Sequence, residues 1–306
     1  MNLTEILSKT FGIKPGERIL IVTDEKKLAL AEKFYASARE LSDRVELAVK
    51  PVGNFHGEEP PEEIAEKMKD SDVVIAVTTH SLTHTRAREK ACENGARVAT
   101  MPCFQESMFG ALADPEMIRK TASKLFPFLR PGNSVRVTTD AGTDISFTIG
   151  PKVLVDDGDY TGKGSFGNLP AGEVFLFPVR ANGKIVIDLM RQGEVEYAPP
   201  GTEIAVRDGR VISVSTRCRL SRILETVENS DFVAEFGIGL NPKASVIGNI
   251  LQDEKSLGTC HFAFGDSRSA GGPVGCDVHL DAILFNPTVK AGKKFVMKKG
   301  RLSACT

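Results

Sequence analysis

The chain lacks an excess of either charge: 39 Lys and Arg stand against 40 Asp and Glu, with the signs intermixed and a formal net charge of −1. Nucleic acid and anionic membranes both reward a basic surface, so neither is expected as the main partner. A small molecule or a peptide is the better expectation. No stretch approaches the roughly 20 apolar residues that a membrane helix needs. The opening segment, MNLTEILSKTFGIKPGERILIV, carries Glu5, Lys9 and Lys14 and so has no signal-peptide apolar run, which points to the cytoplasm. CxxC spacing is also missing. Cys92, Cys103, Cys218, Cys260, Cys276 and Cys305 are scattered, as reduced thiols in a cytosolic protein are. Cys260 and Cys276 lie near histidines and are candidate ligands, against the simpler reading of small buried thiols beside a site. Neither GxGxxG nor GxxxxGK[ST] occurs, so a nucleotide site has little support.

What is present is an ordinary globular composition, 41% apolar and 26% charged over 306 residues, enough for two domains with sizeable cores. Short β-branched runs, RILIVT (18–23), VELAVKPV (45–52), DVVIAVTT (72–79) and ARVATMP (96–102), alternate with the helical stretches 25–42 and 61–70. This βαβ succession predicts an α/β domain over residues 1–130 with a mostly parallel sheet, closed by a helical stretch at 115–130 and a PGN break at 131–133. From there the pattern becomes hairpin-like, in 134–149, 184–190 and 202–216, with one helix at 221–230. Residues 131–306 are therefore expected to form a β-rich α+β domain that binds metal.

The metal expectation comes from acids and histidines inside apolar, strand-like sequence. Glu173 lies in GNLPAGEVFLFP, Glu235 in DFVAEFGIGLNP, Glu254 and His261 in LQDEKSLGTCHFAFG, and His279 and Asp281 in CDVHLDAIL. A charge buried in such a run costs several kcal/mol unless it is paired or bound to a cation. Few lysines or arginines stand beside these residues in sequence, so a metal is the economical partner, and carboxylates with two histidines suit zinc, cobalt, manganese or iron. Residues i and i+2 of a strand point the same way, so His279 and Asp281 can address one ion or an adjacent pair. Asp277 shares that face, either orienting a histidine or lying exposed at the strand start. His80 and His84, after the strand 72–79, stand where open α/β sheets bind ligands, but a Thr-capped helix start with solvated polar residues is the simpler reading.

These motifs, GNLPAGEVF, AEFGIGLNPKA, DEK before GTCHFAFG, and VHLD, resemble the catalytic half of the aminopeptidase T family of metallopeptidases, whose relatives include 2,5-dihydroxypyridine 5,6-dioxygenase. The resemblance spans residues 165–288 and extends weakly through SLTHTRAREKACENGARVATMP. It implies a homodimer and a dinuclear centre of zinc, cobalt or manganese, with Glu173, Glu235, Glu254, His261, His279 and Asp281 as ligands and Glu235 or Glu254 as bridge or general base. Two departures stand out. His261 follows Glu254 by seven positions where the aminopeptidases have five, and Arg268 stands where their catalytic Tyr is placed.

The first expectation is accordingly an aminopeptidase-like hydrolase, with Arg268 placed to stabilise an oxyanion. The alternative is a mononuclear non-haem iron(II) ring-cleaving dioxygenase, with His261, His279 and Asp281 as the two-His-one-carboxylate set and the glutamates around it. A non-catalytic metal-binding relative is the third. The loops 159–168 and 265–275 are expected to shape the specificity pocket.

Overall fold

The computed structural model describes residues 1–303; Cys305 lies outside the described residues. The chain divides into two compact units. One comprises Met1–Ile118 and Asp156–Ala171, the other Arg119–Val155 and the chain from Gly172 onward.

The first unit is built on a parallel five-stranded sheet. Its strands run in the order Val45–Lys50, Ile19–Asp24, Val73–Val77, Arg97–Thr100 and Phe166–Asn168. The central strands are buried throughout, as continuous runs such as VVIAV require when helices cover both faces. Leu20, Val22, Val74, Ala76 and Val98 pack there against Ile64 and Met68 of the helix Glu62–Lys69. The helix Leu3–Phe11 begins with a capping box: the Asn2 side chain accepts from Glu5 N, and the Glu5 carboxylate accepts from Asn2 N. The segment 159–168, expected to be a specificity loop, returns to the sheet edge. Phe166–Asn168 pairs in parallel with Arg97–Thr100, and Asn168 Nδ2 donates to Thr100 Oγ1 at 2.8 Å. No described helix is long and apolar enough to cross a membrane.

The second unit centres on a large antiparallel sheet. Its end strands follow the order His279–Phe285, Thr259–Gly265, Val233–Gly239 and Glu173–Val186. Both Val233–Gly239 and Thr259–Gly265 are buried at every position, so both faces of the sheet are covered. Alternation assigns the faces. Leu176, Phe236, Phe262 and Ala282 form one cross-strand apolar row, and Phe147 packs on it, 5.1 Å from Phe236 between ring centroids. The opposite face carries the polar residues. The fold is thus the expected one, an α/β part with a parallel sheet and a β-rich part.

Candidate metal centre

Strand register brings the acids and histidines together. Glu235 pairs with Ala263, which pairs with Asp281, so these three lie in one row across three strands. The neighbouring rows hold His279 opposite Gly265, His261 opposite Gly237, and Glu173 opposite Gly239. All of these positions share one parity and hence one face. The glycines are spacers. A Cβ on Gly237 would overlap the His261 imidazole, so only glycine lets the ring lie across the neighbouring strand. A Cβ on Gly239 would strike the carbonyl of Ser256, where the segment after the short helix Ile250–Asp253 crosses the sheet. Asn241 N donates to Lys255 O at 2.8 Å and fastens that segment, which delivers Glu254 and Lys255 to the same face.

Three overlapping groups result, each with its ligand atoms within 4.8 Å of one another: Glu173, Glu235 and His261; Glu235, His279 and Asp281; Glu254, His261 and Asp281. Every residue expected as a ligand falls in at least one of them. The two histidines share no group, whereas Glu235 and Asp281 each stand in a group with both. Neither Cys260 nor Cys276 takes part among the described residues: Cys260 faces the apolar side, and Cys276 Sγ donates to Glu228 O.

His261 is fully buried. Its Nε2 lies 3.2 Å from Glu235 Oε1 and 3.4 Å from Glu173 Oε2. Burial opposes a charge on this ring, but the Glu235 hydrogen bond and the Glu173, Asp281 and Glu254 carboxyl groups prevail and raise it to about 9. His279 Nδ1 donates to the Asp266 carbonyl at 2.7 Å, which turns Nε2 toward Asp281 Oδ1, 3.3 Å away. Burial works against its charge too, yet Asp281 raises it well above the ordinary imidazole value. Asp281 is held at about 2, because His279 and, more weakly, His261 and Lys255 outweigh the burial that would raise it. Burial pushes Glu254 up to about 8 against the pull of Lys255.

The donor set fits a divalent cation. Glu173 Oε2 and Asp281 Oδ1 are buried and each faces an imidazole nitrogen, at 3.4 and 3.3 Å, without a well-formed hydrogen bond, and such oxygens are the kind of acceptor that a bound cation satisfies. The Asp266 carbonyl behind His279 supplies the outer hydrogen bond that a ligating imidazole needs. Asp277, the other candidate for that role, is exposed.

Other expectations shift. Sequence proximity suggested that few cations stand near the acids, yet Lys255, buried and adjacent to Glu254, inserts its ammonium between Glu173 Oε1 and Glu254 Oε1, the latter at 2.7 Å. The adjacency in DEKS was the available signal. Arg268 opens a short 3-10 turn, Arg268–Ala270, is exposed, and lays its guanidinium against Gly275. His84 is exposed, and Thr85 caps the helix Arg86–Glu93, the Thr-capped start that accounted for this stretch without a ligand.

The chain matches the family NicX, 2,5-dihydroxypyridine 5,6-dioxygenase, over residues 5–304. Its fold is similar to that of 2,5-dihydroxypyridine dioxygenase from Pseudomonas putida KT2440, with a TM-score of 0.81 at 18% identity over 99% of this chain and 97% of that one. It is also similar to wild-type AmpT from Thermus thermophilus, with a TM-score of 0.69 at 16% identity over 98% of each chain. No curated protein sequence matches it significantly. The aminopeptidase-like hydrolase expectation is thereby corrected. The likeness to AmpT carries the fold alone, whereas the family model that matches residues 5–304 is that of the 2,5-dihydroxypyridine 5,6-dioxygenases. The motifs misled because they describe a shared arrangement of strands and donors, which is indifferent to the reaction run on it.

Proposed function

The chain belongs to the 2,5-dihydroxypyridine 5,6-dioxygenase family, and on that premise we propose that it is a mononuclear non-haem iron(II) enzyme that opens a hydroxylated nitrogen-heteroaromatic ring with dioxygen. The match over residues 5–304 carries this reading. The buried cluster supports it. His261, His279 and Asp281 would hold the ion, Asp281 being, like Glu235, a carboxylate that shares a group with each histidine. Bound there, iron(II) would supply open positions for a ring hydroxyl and for dioxygen and the electron transfer between them. The protein's own contribution is orientation and exclusion of water. The Asp266 carbonyl fixes the tautomer of His279, and the Glu235 carboxylate holds His261 Nε2 toward the cluster. Full burial of His261 and near-complete burial of Glu173 and Glu235 keep bulk water from one side of the centre.

The test is oxygen uptake by protein purified anaerobically and loaded with iron(II). With 2,5-dihydroxypyridine, consumption of one dioxygen per ring and loss of the ring's near-ultraviolet absorption are expected, both oxygen atoms appearing in the opened product. No oxygen uptake from an iron-loaded protein across hydroxypyridines and catechols would overturn the proposal.

A further inference from the structure

Lys255 bears on how many ions the centre accepts. One of the three groups, Glu235, His279 and Asp281, contains neither Glu173 nor Glu254, the carboxylates that the Lys255 ammonium engages. Each of the other two groups contains a carboxylate whose Oε1 the Lys255 ammonium engages, Glu173 in one and Glu254 in the other. Those two carboxylates share their groups with His261. The cluster therefore has two sides. One, around His279, Asp281 and Glu235, is open to a cation. The other, between Glu173 and Glu254, already contains one, and His261 stands between the two sides, grouped with Asp281 as well as with Glu173.

We propose that Lys255 is a built-in cation that occupies the second position of this centre and limits it to one exchangeable divalent ion. This rests on the reading of the cluster as a metal centre. The placement is deliberate in the physical sense that it is costly: an ammonium buried to 2% exposure requires fixed anionic partners, and it has two. A lysine is suited to the role because its ammonium is a compact point charge on a long apolar stem, able to stand where an ion would stand. A divalent ion brought to the Glu173 and Glu254 side meets like charge and finds one oxygen of each carboxylate already taken. Backbone geometry keeps the lysine there, since the Asn241 N to Lys255 O hydrogen bond and the passage of Ser256 over Gly239 fix the segment from which it projects.

Metal-free protein titrated with Mn(II), read by elemental analysis after gel filtration and by electron paramagnetic resonance, tests this without reference to turnover. The wild type is expected to retain one ion per chain with an isolated Mn(II) signal, as is Lys255→Arg. Lys255→Met, which keeps the stem and removes the charge, is expected to retain two ions and to show the signal of a coupled pair. Two retained ions in the wild type, or one in a folded Lys255→Met, overturns the proposal. Wild-type crystals soaked in Mn(II) decide it even if the variant does not fold. One anomalous peak beside an undisplaced ammonium supports it, and a peak between Glu173 and Glu254 with the lysine displaced refutes it. Failure of the ring-cleavage reading is separate: a wild type that binds one ion and consumes no oxygen leaves the role of Lys255 intact.

Discussion

At the residue scale, the candidate centre depends on single side chains held by single hydrogen bonds. His279→Ala and Asp281→Asn each remove a donor from the side of the cluster that Lys255 leaves open. Both are expected to weaken divalent-metal retention by more than the roughly 10–100-fold that loss of an outer hydrogen-bond partner costs, measured by equilibrium dialysis. Unchanged occupancy in both variants would remove the cluster as a metal centre. A second residue-scale effect lies in the other unit. His56 Nδ1 accepts from Ser81 N at 3.0 Å, a bond that needs the neutral ring, and burial together with neighbouring His80 lowers its pKa to about 4. As pH falls from the unfolded value near 6.5 toward 4, the unfolded chain takes up a proton that the folded one resists, so stability is lost in that window. Denaturation midpoints at pH 7 and pH 5 should therefore differ more in the wild type than in His56→Gln. An equal drop in both would show that His56 does not carry the effect.

At the scale of elements, the strand Val233–Gly239 decides the site as much as the donors do. Its EFGIG sequence alternates a ligand-type residue and two glycines on the polar face with Phe236 and Ile238 on the apolar face. Gly237→Ala would force the His261 ring from its place. The expected result is an overpacking penalty of about 1–3 kcal/mol together with loss of tight metal binding, read from urea denaturation and metal content on one preparation. Retention of metal at full affinity would show that His261 can be displaced without consequence. The glycines are visible in the sequence, but their purpose is not. A glycine in a strand signals close approach of something, and only the register names it as an imidazole at Gly237 and a backbone carbonyl at Gly239.

At the scale of the molecule, every residue of the cluster lies between 173 and 281, within the β-rich unit. Metal binding to the folded form alone should raise the melting temperature with metal concentration, by the equivalent of about 2.7 kcal/mol at a hundredfold excess over Kd. Scanning calorimetry of His279→Ala should show no such rise; a rise as large as in the wild type would place the stabilising ion elsewhere. Much of the architecture was legible beforehand. The parallel strands announced themselves as short β-branched runs between helical stretches, and the β-rich half by alternation. The return of residues 156–171 to the first unit was not legible, because a three-residue strand leaves no period to read.

The sequence alone determined which residues are costly to bury, the acids and histidines set into apolar strands at 173, 235, 261, 279 and 281, because local alternation decides which side chains share a face. It also displayed the motifs of a superfamily without separating its reactions. Tertiary structure decided the rest. Pairing register placed Glu235, Ala263 and Asp281 in one row, and the chain crossing over Gly239 carried Lys255 into the cluster. Both depend on contacts between segments distant in sequence, and no local pattern specifies which cation a buried carboxylate will meet.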